Sequence, residues 1–227
     1  MMQERRRKET FQGKSPLGQD IQVPAHYWDE LAKRDPRELC RSALAELHPP
    51  EGLLLRFVNE PYRVDLREKS LKRAKGGVWE KVNYDLLELI LLVYLLRAKE
   101  EGLGDEMVTV QQLKDALFFQ GPHALHTEPL VDRYGRDREG FRNAALALGA
   151  ELLPLADAAC KIQVLPRVPV YYLLWEGDEE FEPRVSVLFD RSVEKHLTAD
   201  AIWGLVTLVT IALVRVEETL TPSGAES

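Results

Sequence analysis

An α+β fold, a mainly antiparallel sheet covered by apolar helices, follows from three observations on this 227-residue chain. Helical and strand-like segments are segregated along the sequence instead of alternating. Two runs, Leu86 to Leu96 and Ala201 to Val214, carry one acid between them and read as buried helices. Residues Ala159 to Phe189 read as three extended segments, separated by Pro166 and by an acidic turn around Gly177.

The elements follow in order. Residues 1–22 lack periodicity and carry Gly13, Pro16 and Gly18, so they read as a disordered N-terminal segment ahead of a single domain over 23–216. Pro24 to Leu47 has helical spacing through Trp28, Leu31, Leu39, Ala43 and Leu47. Asp35-Pro36 divides it, with Asp35 as cap and Pro36 as first residue of the second helix. Leu53–Phe57 and Tyr62–Leu66 flank Asn59-Glu60-Pro61 and predict a hairpin, with Pro61 at an edge or turn. The basic stretch Arg67, Lys69, Lys72, Arg73, Lys75 and Lys81 reads as a solvated loop, with Gly76-Gly77 inside it.

Asn83 opens a long apolar helix that runs to about Glu101 and is stopped by Gly102 and Gly104. Thr109 is placed to cap a helix over Val110 to Phe119, ended by Gly121-Pro122. Leu130 to Tyr134 forms a helical turn, and Asp137 caps a helix from Arg138 to Leu148 that Gly149 ends. After the three strands, Asp190 or Ser192 starts a short helix through His196. Thr198 caps the final helix, with Asp200 in its first turn. The polar residues 217–227 read as a disordered tail.

Composition bounds the function. A chain this long buries roughly 70% of its extended surface, enough for its own core. The net charge of −7 argues against a nucleic-acid partner. Two cysteines, Cys40 and Cys160, are too few for a disulfide framework or a cysteine-ligated cluster. No apolar core follows the charged N-terminus, so a cytoplasmic location is expected. The longest uncharged run, fourteen residues from Ala201, falls short of the about twenty that span a bilayer, so no membrane role is expected. Phosphate loops, dinucleotide fingerprints, nucleophile elbows and two-histidine zinc helices are absent from the sequence.

Several stretches together are similar to one family. These are Tyr62-Arg63-Val64-Asp65, Leu91 to Leu96 with Tyr94, Phe118-Phe119-Gln120-Gly121-Pro122-His123, and Tyr134-Gly135-Arg136-Asp137 leading to Phe141. Leu165-Pro166-Arg167-Val168-Pro169, Trp175-Glu176-Gly177-Asp178-Glu179-Glu180-Phe181 and Leu188-Phe189-Asp190 carry the strongest likeness. On these the chain, over about residues 25–215, resembles the family called domain of unknown function 3786. The resemblance implies a setting in the metabolism of anaerobic bacteria and archaea, but no reaction. Family members usually have Pro directly after the Phe, whereas here Glu182 precedes Pro183. Some members carry a cysteine-rich iron–sulfur segment that this chain lacks.

Three constellations are candidates for chemistry. The acidic turn offers Trp175, Glu176, Asp178, Glu179 and Glu180, as a contact for a ligand or partner, as oxygen ligands for a hard cation though without the calcium-loop spacing, or as a hairpin held by Asp178 through backbone amides. Gly121-Pro122-His123-Ala124-Leu125-His126 places His123 and His126 three apart, as a ligand or proton-transfer pair or as loop histidines satisfied by hydrogen bonds. Arg133 and Arg136, with Arg138, stand before a helix start where an anion is favoured. No metal site is assigned, and the cofactor stays unknown. The leading expectation is an accessory domain that binds a small molecule or partner protein. One alternative is an enzyme using a histidine and a carboxylate; another is an interaction subunit packing through its apolar C-terminal helix.

Overall fold

The computed structural model describes residues 21–50, 52–104 and 106–216. The termini expected to be disordered lie, apart from Ile21 and Gln22, outside the described residues.

Two short helices open the fold, α1 (Ala25–Leu31) and α2 (Pro36–Ala43). Asp35 caps α2 as expected: its carboxylate accepts from the Arg37 amide at 2.9 Å. The helix does not reach Leu47. Leu44 turns left-handed at φ 51°, and Leu47 lies instead in a three-residue strand, β1 (Glu46–His48). The predicted hairpin forms from β2 (Gly52–Phe57) and β3 (Glu60–Asp65), with Leu55 opposite Tyr62. Pro61 sits beside the turn, but β3 is an inner strand, not an edge.

The basic stretch is not a loop. It forms β4 (Ser70–Lys75) and β5 (Val78–Lys81), joined at Gly76-Gly77, whose φ values of 59° and 84° suit a tight hairpin turn. Charge hid an alternation. Leu71 and Arg73 face inward opposite Val64 and Tyr62, while Lys72 reaches the carboxylates of Asp65 and Glu68.

These five strands make one antiparallel sheet in the order β1-β2-β3-β4-β5. It rolls strongly. His48 on one margin and Trp79 on the other meet edge to face at 5.3 Å between ring centroids. Four flat interstrand steps would hold those margins about 19 Å apart.

The long apolar helix is α3 (Asp85–Arg97), shorter at both ends than expected. Its one interior acid, Glu88, accepts the indole N–H of Trp28 at 2.8 Å, which explains a carboxylate on a buried helix. After β6 (Met107–Val108), the region expected as a helix over 110–119 breaks into two 3₁₀ pieces, Val110–Gln112 and Ala116–Phe119. Leu113 between them is buried and extended, and the Lys114 amide donates to the Glu194 carboxylate, so tertiary contacts replace helical ones. Helices α4 (Glu128–Tyr134) and α5 (Arg138–Ala147) follow, with Asp137 accepting from the Gly140 amide at 2.8 Å as predicted.

The second sheet holds β7 (Glu151–Leu153), β8 (Ala158–Leu165), β9 (Val168–Trp175) and β10 (Arg184–Asp190), in the order β6-β10-β9-β8-β7, all antiparallel. The fold is thus α+β with two antiparallel sheets where one was expected. They touch where the Val58 amide donates to the Val164 carbonyl at 2.7 Å. A short α6 (Val193–His196) leads into α7 (Ala199–Val216). Helix α7 is long and apolar enough to cross a membrane by length and composition, and 67% of it is buried inside the fold. It packs against α3, α4 and α5.

Candidate functional site

The acidic segment is the reversal between β9 and β10, with Trp175 paired to Arg184 across its base. The Arg184 guanidinium lies 4.2 Å from the Trp175 ring centre. Its carboxylates do not gather on one point. Glu176 turns toward α5, accepting from the Arg138 amide at 3.0 Å and lying 3.6 Å from the Arg138 guanidinium. Asp178 holds the loop: one oxygen accepts from the Glu180 amide at 2.8 Å and the Phe181 amide at 2.7 Å. These two donors hold the Asp178 carboxyl below its ordinary range. Glu179 and Glu180 are exposed.

The arginine-rich turn sits against this loop. The Gly177 amide donates to the Gly135 carbonyl at 2.9 Å. Pro183 fills the space beside both glycines: a Cβ at Gly177 would lie 2.5 Å from the Pro183 ring and one at Gly135 2.8 Å. A shallow cleft of about 280 Å³ remains between Arg133, Arg136, Asp137 and Pro183. The anion position at the start of α5 is already taken, by Asp137 and Glu176 of the chain itself.

The histidines lie elsewhere. His123 stacks on Phe118 at 4.5 Å between ring centres and meets Trp203 edge-on at 6.0 Å. His126 lies 3.5 Å from the Glu128 carboxylate. Trp203 is near the start of α7, whereas Tyr134, the residue before Gly135, donates its hydroxyl to the Leu213 carbonyl at 2.8 Å. Those ten residues separate the two regions by about 15 Å along the helix. The structure therefore joins Arg133, Arg136, Trp175, Asp178 and Glu180 in one neighbourhood and sets His123 and His126 in another. Among the described residues no three His, Cys, Asp or Glu side chains converge as a metal cage.

A site not foreseen lies at the start of α7. Arg97, Leu113, Lys114, Asp115, Phe119, Glu194, Leu197, Thr198, Ala199 and Ile202 line a cleft of about 260 Å³. Its floor is apolar: Leu113, Phe119, Leu197 and Ile202 are buried. Its rim carries both charges. The side chains of Arg97, Lys114 and Asp115 form no ion pair among the described residues. Thr198, expected to cap α7, has a buried hydroxyl that makes no hydrogen bond among the described residues. No sequence pattern marks this set, because its members come from α3, the 3₁₀ segment, α6 and α7 and meet only in the folded chain.

His196, next to this cleft in the chain, is fully buried. Its Nδ1 accepts from the Lys99 amide at 3.3 Å, which puts the ring proton on Nε2, where no partner exists among the described residues. Burial, reinforced by the Arg167 and Lys195 charges and opposed by Glu101 and Asp190, depresses its pKa to about 4. Arg167 in turn donates to the carbonyls of Ser42 at 2.7 Å, Glu101 at 2.9 Å and Arg41 at 3.2 Å, tying the end of α2 to the loop after α3.

Comparisons with curated proteins and with solved structures return no match. The family profile described as Domain of unknown function (DUF3786) matches residues 35–212. That span takes in both sheets, the acidic reversal and the cleft at α7, and the chain belongs to this family.

Proposed function

We propose that this protein is a non-catalytic binding domain for a small molecule, held in the cleft at the start of α7. One observation carries the reading. Apolar side chains lie beneath a rim of charged ones, of which Arg97, Lys114 and Asp115 form no ion pair among the described residues, and unpaired charges over an apolar base can fix and orient a small ligand. The enzyme alternative is weaker, since a histidine and a carboxylate from the two predicted regions stand at opposite ends of α7. The interaction alternative loses its motive, because Ala201 to Thr210, Ala212 and Leu213 are buried by the chain itself.

The test is a thermal-shift screen of the full chain against a metabolite library, joined to mass spectrometry of small molecules retained on purification under anaerobic conditions, the setting implied by the family resemblance. Ala199→Phe fills the cleft from a half-buried position. A ligand that stabilises the natural chain and not Ala199→Phe supports the reading. Retained or stabilising ligands that the variant binds equally well overturn it, as does a screen and a purification that both return nothing.

A further inference from the structure

We infer that the occupant of the α7 cleft is a small zwitterion with an apolar body, of the class of free aliphatic α-amino acids. This rests on the binding reading above and adds the chemistry of the ligand. The argument is the pairing of signs around a half-open cleft with buried apolar side chains beneath it. Arg97 and Lys114 supply positive charge, Asp115 and Glu194 negative charge, all lining the same cleft. A simple anion site would not place two carboxylates beside the cations, because each would raise the cost of a bound anion. A simple cation site has the converse fault. A ligand bearing one carboxylate and one ammonium satisfies both.

The positions suit this division. The start of an eighteen-residue helix favours a carboxylate, and the buried Thr198 hydroxyl there makes no hydrogen bond among the described residues. Arg97 and Lys114, which line the same cleft, add positive charge for that carboxylate. Glu194 receives the Lys114 amide on Oε1, which fixes its carboxylate and leaves its second oxygen for a donor such as ammonium. Leu113, Phe119, Leu197 and Ile202 then receive an aliphatic side chain. Size permits it: a cleft of about 260 Å³ admits a molecule as small as an aliphatic amino acid.

The experiment uses the full chain and three probes in isothermal titration: L-leucine, 4-methylpentanoate, which lacks the amine, and 3-methylbutylamine, which lacks the carboxylate. Leucine is expected to bind, with each singly charged analogue weaker by about tenfold or more, since a lost charged partner leaves the opposing group unpaired. Lys114→Gln is expected to weaken leucine and leave the amine unaffected. Asp115→Asn is expected to weaken leucine and leave the carboxylate unaffected. Both side chains are exposed, so neither change threatens folding. An analogue that binds as tightly as leucine, with binding lost in Ala199→Phe, overturns the zwitterion and leaves the binding domain standing. No heat from any of the three overturns the zwitterion, and the metabolite screen then decides the binding domain separately.

Discussion

Replacing His196 with Asn tests the electrostatics of the core beside the cleft. The native ring is neutral, accepts the Lys99 amide on Nδ1 and has no contact with solvent. A second proton would set two donors face to face and place a charge near Arg167 and Lys195. The unfolded chain has no such penalty and takes the proton near its ordinary pKa of 6.5, while the folded chain resists until about 4. The sign follows: a depressed folded pKa means the unfolded state binds more protons between those values. The stabilising contribution of the neutral ring is complete above 6.5 and is lost as pH falls through the folded value. At about 1.36 kcal/mol per pH unit, the fall from pH 7.5 to pH 4 removes about 3 kcal/mol, a large share of a typical stability of about 5–15 kcal/mol. Asn does not titrate and keeps an acceptor for the Lys99 amide. Urea unfolding of both proteins across this range, each difference taken between variant and natural chain, isolates the ring from the carboxylates. The variant is expected to start less stable at pH 7.5 and to lose about 3 kcal/mol less on acidification. Parallel profiles would refute the reasoning.

Two further outcomes are expected. Gly149 ends α5 at φ 75°, and a Cβ there would sit 1.9 Å from the Asn59 amide nitrogen, which itself donates to the Leu148 carbonyl at 2.6 Å. Gly149→Ala should cost about 2 kcal/mol from left-handed strain and the lost cap. In a double-mutant cycle with Asn59→Ala the costs should not add, and strict additivity in the unfolding data would argue against the contact. Burial pushes the Cys160 thiol up to about 12, so in native protein a thiol reagent should modify half-buried Cys40 and spare Cys160. Equal rates at both, followed by peptide mass mapping, would contradict the placement of β8 against the core.

Much of the fold was legible because local chemistry and tertiary structure agree. Asp35 and Asp137 cap the helices they precede, and the runs ending at Trp175 and starting at Arg184 pair as read. The failures share a cause. Ser70 to Lys75 has a strand pattern whose inward position is held by Arg73, so a count of charges hides the alternation, and Gly76-Gly77 was the hairpin signal beneath it. Thr109 and Thr198 look like caps for regular helices. Yet the first opens a 3₁₀ segment bent by burial of Leu113, and the second hydroxyl has no partner among the described residues. The candidate site was half legible. Asp178 as holder of its own loop could be read from an acid before a turn, but the cleft draws on four separate elements and leaves no trace in spacing.

The rolling of the first sheet has a result beyond its shape. An open five-strand ribbon offers two unsatisfied rows of backbone donors and acceptors, and other chains can add to either. Here curvature turns the two borders inward until His48 and Trp79 meet, so an approaching strand finds an aromatic seam where a flat sheet would offer a straight ledge. A ribbon rich in lysine and arginine is thereby guarded against uncontrolled stacking by bending, and within it the buried Asp65 carboxylate is neutralised by Arg63 and Lys72.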